Sequence, residues 1–357
     1  MHAGWYEPIV EVTRGGVVES VHYGAAAVVD RSGRLLAWVG DPQAMTFLRS
    51  SAKPFQAIPL VEGGGLDAFG LTPRQLALIC ASHSGTDAHK AMAESIQAKV
   101  GVSESHLLCG THPPYDAETW NRMRAAGESP TPNRHNCSGK HTGMLAQARH
   151  LGLPLETYID PNHPVQGRIL EAFSAMCGLT PGEVLLGIDG CSVPTFAVPL
   201  AAAATGYARL ADPSGLPGER ARAARRIVEA MTSNPDMVDG PGRFDTRLMQ
   251  ASGGRILSKG GAEGFRGMAI MPGALRPGSP GLGVAIKIAD GDLGKLTDSP
   301  PGQRAGRRAA LALLTQLGAL VANQLDELAE FGTQPVTNFR ELVVGETRAC
   351  LALHRAR

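Results

Sequence analysis

Strand-like runs stand at both ends of this sequence and helical periodicity fills the middle, so any sheet has to be assembled from the two chain ends. Near the start, the alternating or apolar runs at 9–13, 23–29 and 35–39 are separated by Gly15-Gly16 and by Asp30-Arg31-Ser32-Gly33, which predicts an antiparallel meander. From about residue 50 to 187 a 3.6-residue period takes over, with helices expected at 54–62, 73–81, 87–99, 141–150 and 164–176. A further helix is expected at 220–231. Strand-like runs return at 267–271 and 283–289, with Pro and Gly between them, and predict a hairpin. The segment 296–303 reads as a connector into the longest amphipathic pattern, 305–327, expected to be one helix covering a sheet. This order predicts an α+β architecture: an antiparallel sheet from both chain ends with a helical insert between. The chain, 1–357, is read as a single domain, with N-terminal strands in 1–49, a mainly helical part in 50–260, and C-terminal strands and the long helix in 261–357.

Composition narrows the class. With 357 residues, 43% of them hydrophobic, the chain can bury a large core. A net charge of +1 and the absence of a long basic run exclude the electrostatic footprint of a nucleic-acid binder. No apolar stretch approaches the roughly 18–20 residues of a membrane span. The start, Met1-His2-Ala3-Gly4-Trp5-Tyr6-Glu7, lacks the pattern of a secretory signal, so a cytoplasmic protein is expected. Six scattered cysteines predict reduced thiols, not a disulfide framework. The basic residues are mostly arginine, and only seven are lysine, at 53, 90, 99, 140, 259, 287 and 295. Lysine can lose its proton in a protein and arginine cannot, so a lysine acting as base or ligand has no arginine substitute.

Two of those lysines lie beside serines. Arg49-Ser50-Ser51-Ala52-Lys53-Pro54-Phe55-Gln56 contains S-x-x-K, and three residues apart on a helix share a face. Pro54 fits only the first turn of a helix, which sets Ser50 near a helix start, where backbone N–H groups can hold charge on a substrate oxygen. The bland reading is a capping serine. A second serine follows in Cys80-Ala81-Ser82-His83-Ser84-Gly85, and a second lysine in Ser258-Lys259-Gly260-Gly261-Ala262-Glu263-Gly264, read as a Gly-rich turn before a strand. The trio resembles that of penicillin-recognising serine enzymes. Two departures argue against a β-lactam substrate: Ser84 stands where those enzymes carry Asn, and Gly260-Gly261 where they carry Thr or Ser and Gly. A lysine base needs a pKa well below its usual ~10.4, through burial or a second ammonium, which Lys53 and Lys259 in one pocket would supply with Lys140 adding to it.

The segment 133–144 gathers Asn136, Cys137, Ser138, Lys140 and His141 at the start of a helix. A second loop, Gly187-Ile188-Asp189-Gly190-Cys191-Ser192-Val193-Pro194, follows fifty residues on. Two thiolates and a nitrogen would suit zinc with a fourth position open, and buried free cysteines account for the same residues.

Five segments in order, Leu48–Gln56, Cys80–Gly85, Asn136–Met144, Gly187–Pro194 and Ser258–Gly264, resemble the rhizobial-type L-asparaginases, a class that uses Ser-Lys pairs. The resemblance runs from about residue 8 to residue 346. It implies hydrolysis of L-asparagine to L-aspartate and ammonia, a homodimer, and a fold like serine β-lactamases and penicillin-binding proteins. It also places catalytic pairs on Ser50 with Lys53 and on Ser82 with Lys259, and zinc ligands on Cys137, Lys140 and Cys191. Arg49, His141 and Asp189 become candidates for substrate contact. The rivals are a penicillin-recognising amidase or esterase on another substrate, and a non-catalytic zinc or amino-acid sensor.

Overall fold

The computed structural model describes residues 5–292 and 304–356 and divides into two compact units. Among the described residues one comprises 5–48, 198–212, 247–292 and 304–356, and the other 49–197 and 213–246. The architecture is the α+β one expected. The division differs from the subregions read along the sequence, because the helix Leu200–Ala211 and the strand Ile256–Gly260 group with the sheet and not with the helical part.

In the sheet unit the strand path is Gln334–Thr337, Val343–Ala349, Glu7–Arg14, Val17–Asp30, Leu282–Ile288, Phe265–Ile270 and Ile256–Gly260, all antiparallel. The two chain ends meet in it, with Val10 opposite Ala349. The inner half of Val17–Asp30, Gly24 to Val29, pairs with Leu282–Ile288 and combines small with β-branched residues. Phe265–Ile270 is buried throughout. Such runs suit strands covered on both faces. Helix Leu200–Ala211 lies on one face so closely that a Cβ at Gly283 would stand 1.8 Å from Ala204 O, and one at Gly267 would strike the Tyr207 ring. Helix Gly306–Leu317 packs on the same strands, beside Ile288. Residues 283 and 288 differ in parity, so the two helices take opposite faces.

The single helix expected over 305–327 is two, Gly306–Leu317 and Ala322–Glu327. Gly318 adopts φ 72° and ends the first, with Ala319 N–H returning to Leu314 O. The expected connector 296–303 lies outside the described residues. The turn expected around Lys259 is instead a strand, Ile256–Gly260, in which Lys259 lies opposite Gly267. The apolar Ile256-Leu257 in front of it extends the pairing past the glycines.

The helical unit is built on Ser138–His150, whose residues 138–148 are all buried. It starts three residues before the expected 141. Gly139 and Gly143 are the reason: a Cβ at Gly139 would lie 2.1 Å from Leu78 O, and one at Gly143 would lie 2.5 Å from the Ile79 side chain. These glycines let the helix press on Pro73–Ile79, itself started by a Thr72–Gln75 capping box. Helices Asp87–Val100, Pro164–Cys177 and Gly218–Ser233 match their expected positions to within two residues. The helix expected at 54–62 is split into Lys53–Gln56 and Ile58–Glu62, because Pro59 cannot donate to the turn before it. Among the described residues no helix is long and apolar enough to cross a membrane.

Candidate active site

Within the helical unit, Arg49–Ala52 forms a 3-10 turn that runs directly into the helix Lys53–Gln56. In a 3-10 turn residues three apart lie over one another, so Ser50 and Lys53 belong to one face, as expected. Pro54 sits in the first turn, also as expected. Ser50 is half-buried, and Lys53 is 1% exposed. Helix Pro73–Ile79 ends in a turn closed by Ala81 N–H on Leu78 O, and Ser82 N–H then donates to Val238 O, which carries the chain past Lys53.

Lys53 Nζ has three partners: Ala81 O at 2.7 Å, Ser82 Oγ at 2.8 Å and Asn136 O at 3.4 Å. The two carbonyls can only accept, so they occupy two N–H bonds. The Ser82 hydroxyl can either accept a third or donate to a nitrogen lone pair. The Lys53–Ser82 contact therefore sets this amine within hydrogen-bond reach of a serine hydroxyl. The resemblance pairs Ser82 with Lys259; within the helical unit Lys53 Nζ also reaches Ser82 Oγ. Packing of three separate segments makes that contact, and no spacing in the sequence announces it. Lys259 belongs to the sheet unit, where it is 1% exposed and donates to Gly260 O at 2.6 Å.

Next to Ser50, Arg49 is held at φ 51°, a conformation costly for a residue with a side chain. Its Nε and Nη2 both reach Asp189 Oδ1 at 2.8 Å. Asp189 ends the strand Leu185–Ile188, which pairs antiparallel with Pro194–Pro199. The loop between is closed by Asp189 N–H on Val193 O and Ser192 N–H on Asp189 O, with Ser192 at φ 74°. This turn carries Cys191 inward to 2% exposure.

Cys191 meets Lys140 and Cys137 there. Lys140 Nζ donates to Cys191 Sγ at 2.8 Å, and the Cys191 thiol is hydrogen-bonded to Cys137. That bond, outweighing burial with help from Lys53 and Lys140, holds the Cys137 thiol well below the usual range, while the same bond and burial push Cys191 up. Burial alone would lower Lys140, but Cys191, Cys137 and Asp189 together raise it. Of the two thiols Cys137 is thus the more acidic, beside the Lys140 amine. Two thiols and an amine, converging and buried, are a donor set that fits a soft divalent metal once their protons leave. Among the described residues no three His, Cys, Asp or Glu side chains gather in metal-binding fashion, so lysine would have to be the third donor.

Several further polar groups surround this centre, among them the candidate His141. His141 Nδ1 lies 2.6 Å from Tyr158 OH, which accepts Leu108 N–H, and His141 Nε2 is buried without a partner. His83 Nε2 lies 2.8 Å from Ser138 Oγ, and its ring stacks on His89. Burial, then the neighbouring His89, hold His83 well below the usual imidazole range; burial, then Lys140, do so for His141. The buried thiol of Cys109 is pushed up to about 12, chiefly by burial. Ser138, His141 and His83 stand in segments that the sequence marks, whereas no motif marks Tyr158, His89 or Cys109.

Crystal structures of Mglu share 16–17% identity with TM-score 0.43, covering 85% of this chain and 63–69% of theirs. A Bacillus subtilis glutaminase, YbgJ, in covalent complex with 5-oxo-L-norleucine shares 13% identity with TM-score 0.38, over 82% of this chain and 88% of that one. No curated protein sequence matches this chain. Residues 10–349 match the family described as L-asparaginase II, and with that match spanning nearly its whole length the chain belongs to the L-asparaginase II family, an amidohydrolase.

Proposed function

We propose that this amidohydrolase cleaves the side-chain amide of L-asparagine, giving L-aspartate and ammonia through a serine acyl-enzyme. The observation that carries the reading is the Lys53–Ser82 bond, in which two carbonyls fix the amine and leave its remaining valence to a hydroxyl. In the proposed sequence, Ser50 Oγ attacks the amide carbon while Lys53 takes its proton. The C–O bond forms, the C–N bond breaks, and the proton passes from Lys53 by way of Ser82 to the leaving nitrogen. Water then attacks the ester, its proton returns along the same path, and aspartate is released.

Arg49 and Asp189 supply opposite charges at one mouth, suited to the α-carboxylate and α-ammonium of an amino acid. His141 is a candidate contact through its buried, unpartnered Nε2. Zinc, when bound at Cys137, Lys140 and Cys191, would supply a fixed positive charge for holding substrate. Lys259 is proposed as a partner in deacylation, and the homodimer and cytoplasmic location are proposed with it, on resemblance alone.

The test is ammonia release from asparagine by the intact protein and by Ser50→Ala. The variant is expected to bind asparagine in calorimetry and release nothing. Full turnover in it would remove Ser50 from the nucleophile role. Binding without any turnover in the unaltered protein would favour a sensor.

A further inference from the structure

In the sheet unit, helix Gly306–Leu317 presents Arg308, Leu311, Ala312 and Thr315 along one face, at i, i+3, i+4 and i+7. Facing them, Leu325 and Leu328 complete the aliphatic wall of a cavity of about 340 Å³. That volume is in the range of small-molecule sites. Arg308 is the one charged side chain lining it, and it is 5% exposed.

This arginine lacks the counter-ion such burial calls for. Its Nη1 donates to the Arg304 carbonyl, and its Nε is buried with no hydrogen-bond partner. Among the described residues no carboxylate pairs with it. Asp292 is committed elsewhere, accepting the N–H groups of Ala305 and Gly306 at 2.7 Å each. Burial and the adjacent Arg307 push the guanidinium down, while Asp292 compensates only in part. A buried cation with an open donor is stable only if an anion completes it. Apart from Thr315 and Thr333 the remaining wall is apolar, so an anion with an apolar body fits it.

We propose that this cavity binds a small straight-chain carboxylate, its head on the Arg308 guanidinium and its chain along Leu311, Leu325 and Leu328. Guanidinium and carboxylate are matched in geometry, and the aliphatic tail removes the leucine surfaces from water.

Octanoate titrated into the full-length protein tests this by calorimetry and thermal shift, with octanol and acetate as controls. One octanoate per chain is expected, raising the unfolding midpoint, with octanol and acetate at least tenfold weaker. Arg308→Met is expected to weaken octanoate at least tenfold while keeping its far-ultraviolet spectrum. Ala312→Trp, which fills the cavity and keeps the arginine, is expected to abolish binding. Absence of saturable octanoate binding, or binding unchanged in both variants, would overturn the assignment.

Discussion

Arg49 gives two N–H donors to a single carboxylate oxygen of Asp189, 140 residues away, and does so from a left-handed backbone conformation immediately before Ser50. The ion pair is what holds a strained residue beside the proposed nucleophile. Asp189→Asn is expected to lower kcat/KM for asparagine about 100-fold or more. The pair is partly exposed, so stability should fall by only about 1 kcal/mol. Steady-state kinetics with urea unfolding separates the two effects. An equal loss of both would make the pair structural only.

Gly139 and Gly167 offer a contrast within one unit. A Cβ at Gly139 would meet a carbonyl at 2.1 Å, whereas nothing lies within 4 Å of one at Gly167, on the exposed side of its helix. Gly139→Ala is expected to cost about 3 kcal/mol or to prevent folding. Gly167→Ala is expected to stabilise by roughly 0.5–1 kcal/mol. Chemical denaturation of the two variants checks both signs.

Acid should destabilise this protein from near neutrality. His83 and His89 are both held below the usual imidazole range, by burial first. In the unfolded chain they take up protons below about pH 6.5, and in the folded chain only at lower pH. Stability is therefore full above that value and falls with pH between the unfolded and folded pKa, by about 1.4 kcal/mol per unit for each histidine. Unfolding free energies at pH 7, 6 and 5 measure the slope, and His83→Gln should flatten it.

Zinc binding, followed with a chromophoric competitor, should show one ion per chain, be lost in Cys137→Ser and Cys191→Ser, and strengthen as pH rises. The pH dependence follows because thiols and an ammonium must release protons to become ligands. Retained affinity in both serine variants would exclude this trio.

The sequence by itself determined the architecture and the inventory of chemistry. Period-2 runs at both ends and 3.6-residue runs between them marked the sheet and the helices, because those periods record which side of each element is buried. Rare lysines beside serines, and the clusters at 136–144 and 187–194, marked the reactive groups. Local signals failed where long-range packing decides. The Ala-rich helix Leu200–Ala211 lies against the sheet because glycines of strands far away in sequence make room for it. Lys259 stands among glycines, yet strand pairing with Phe265–Ile270 overrides the turn they favour. The bond from Lys53 to Ser82, the thiol pair beside Lys140 and the open donor of Arg308 each join or isolate groups by tertiary contact alone. Spacing along a chain records which residues can share a face, but which charged or polar atom finds a partner depends on segments brought together only when the core closes.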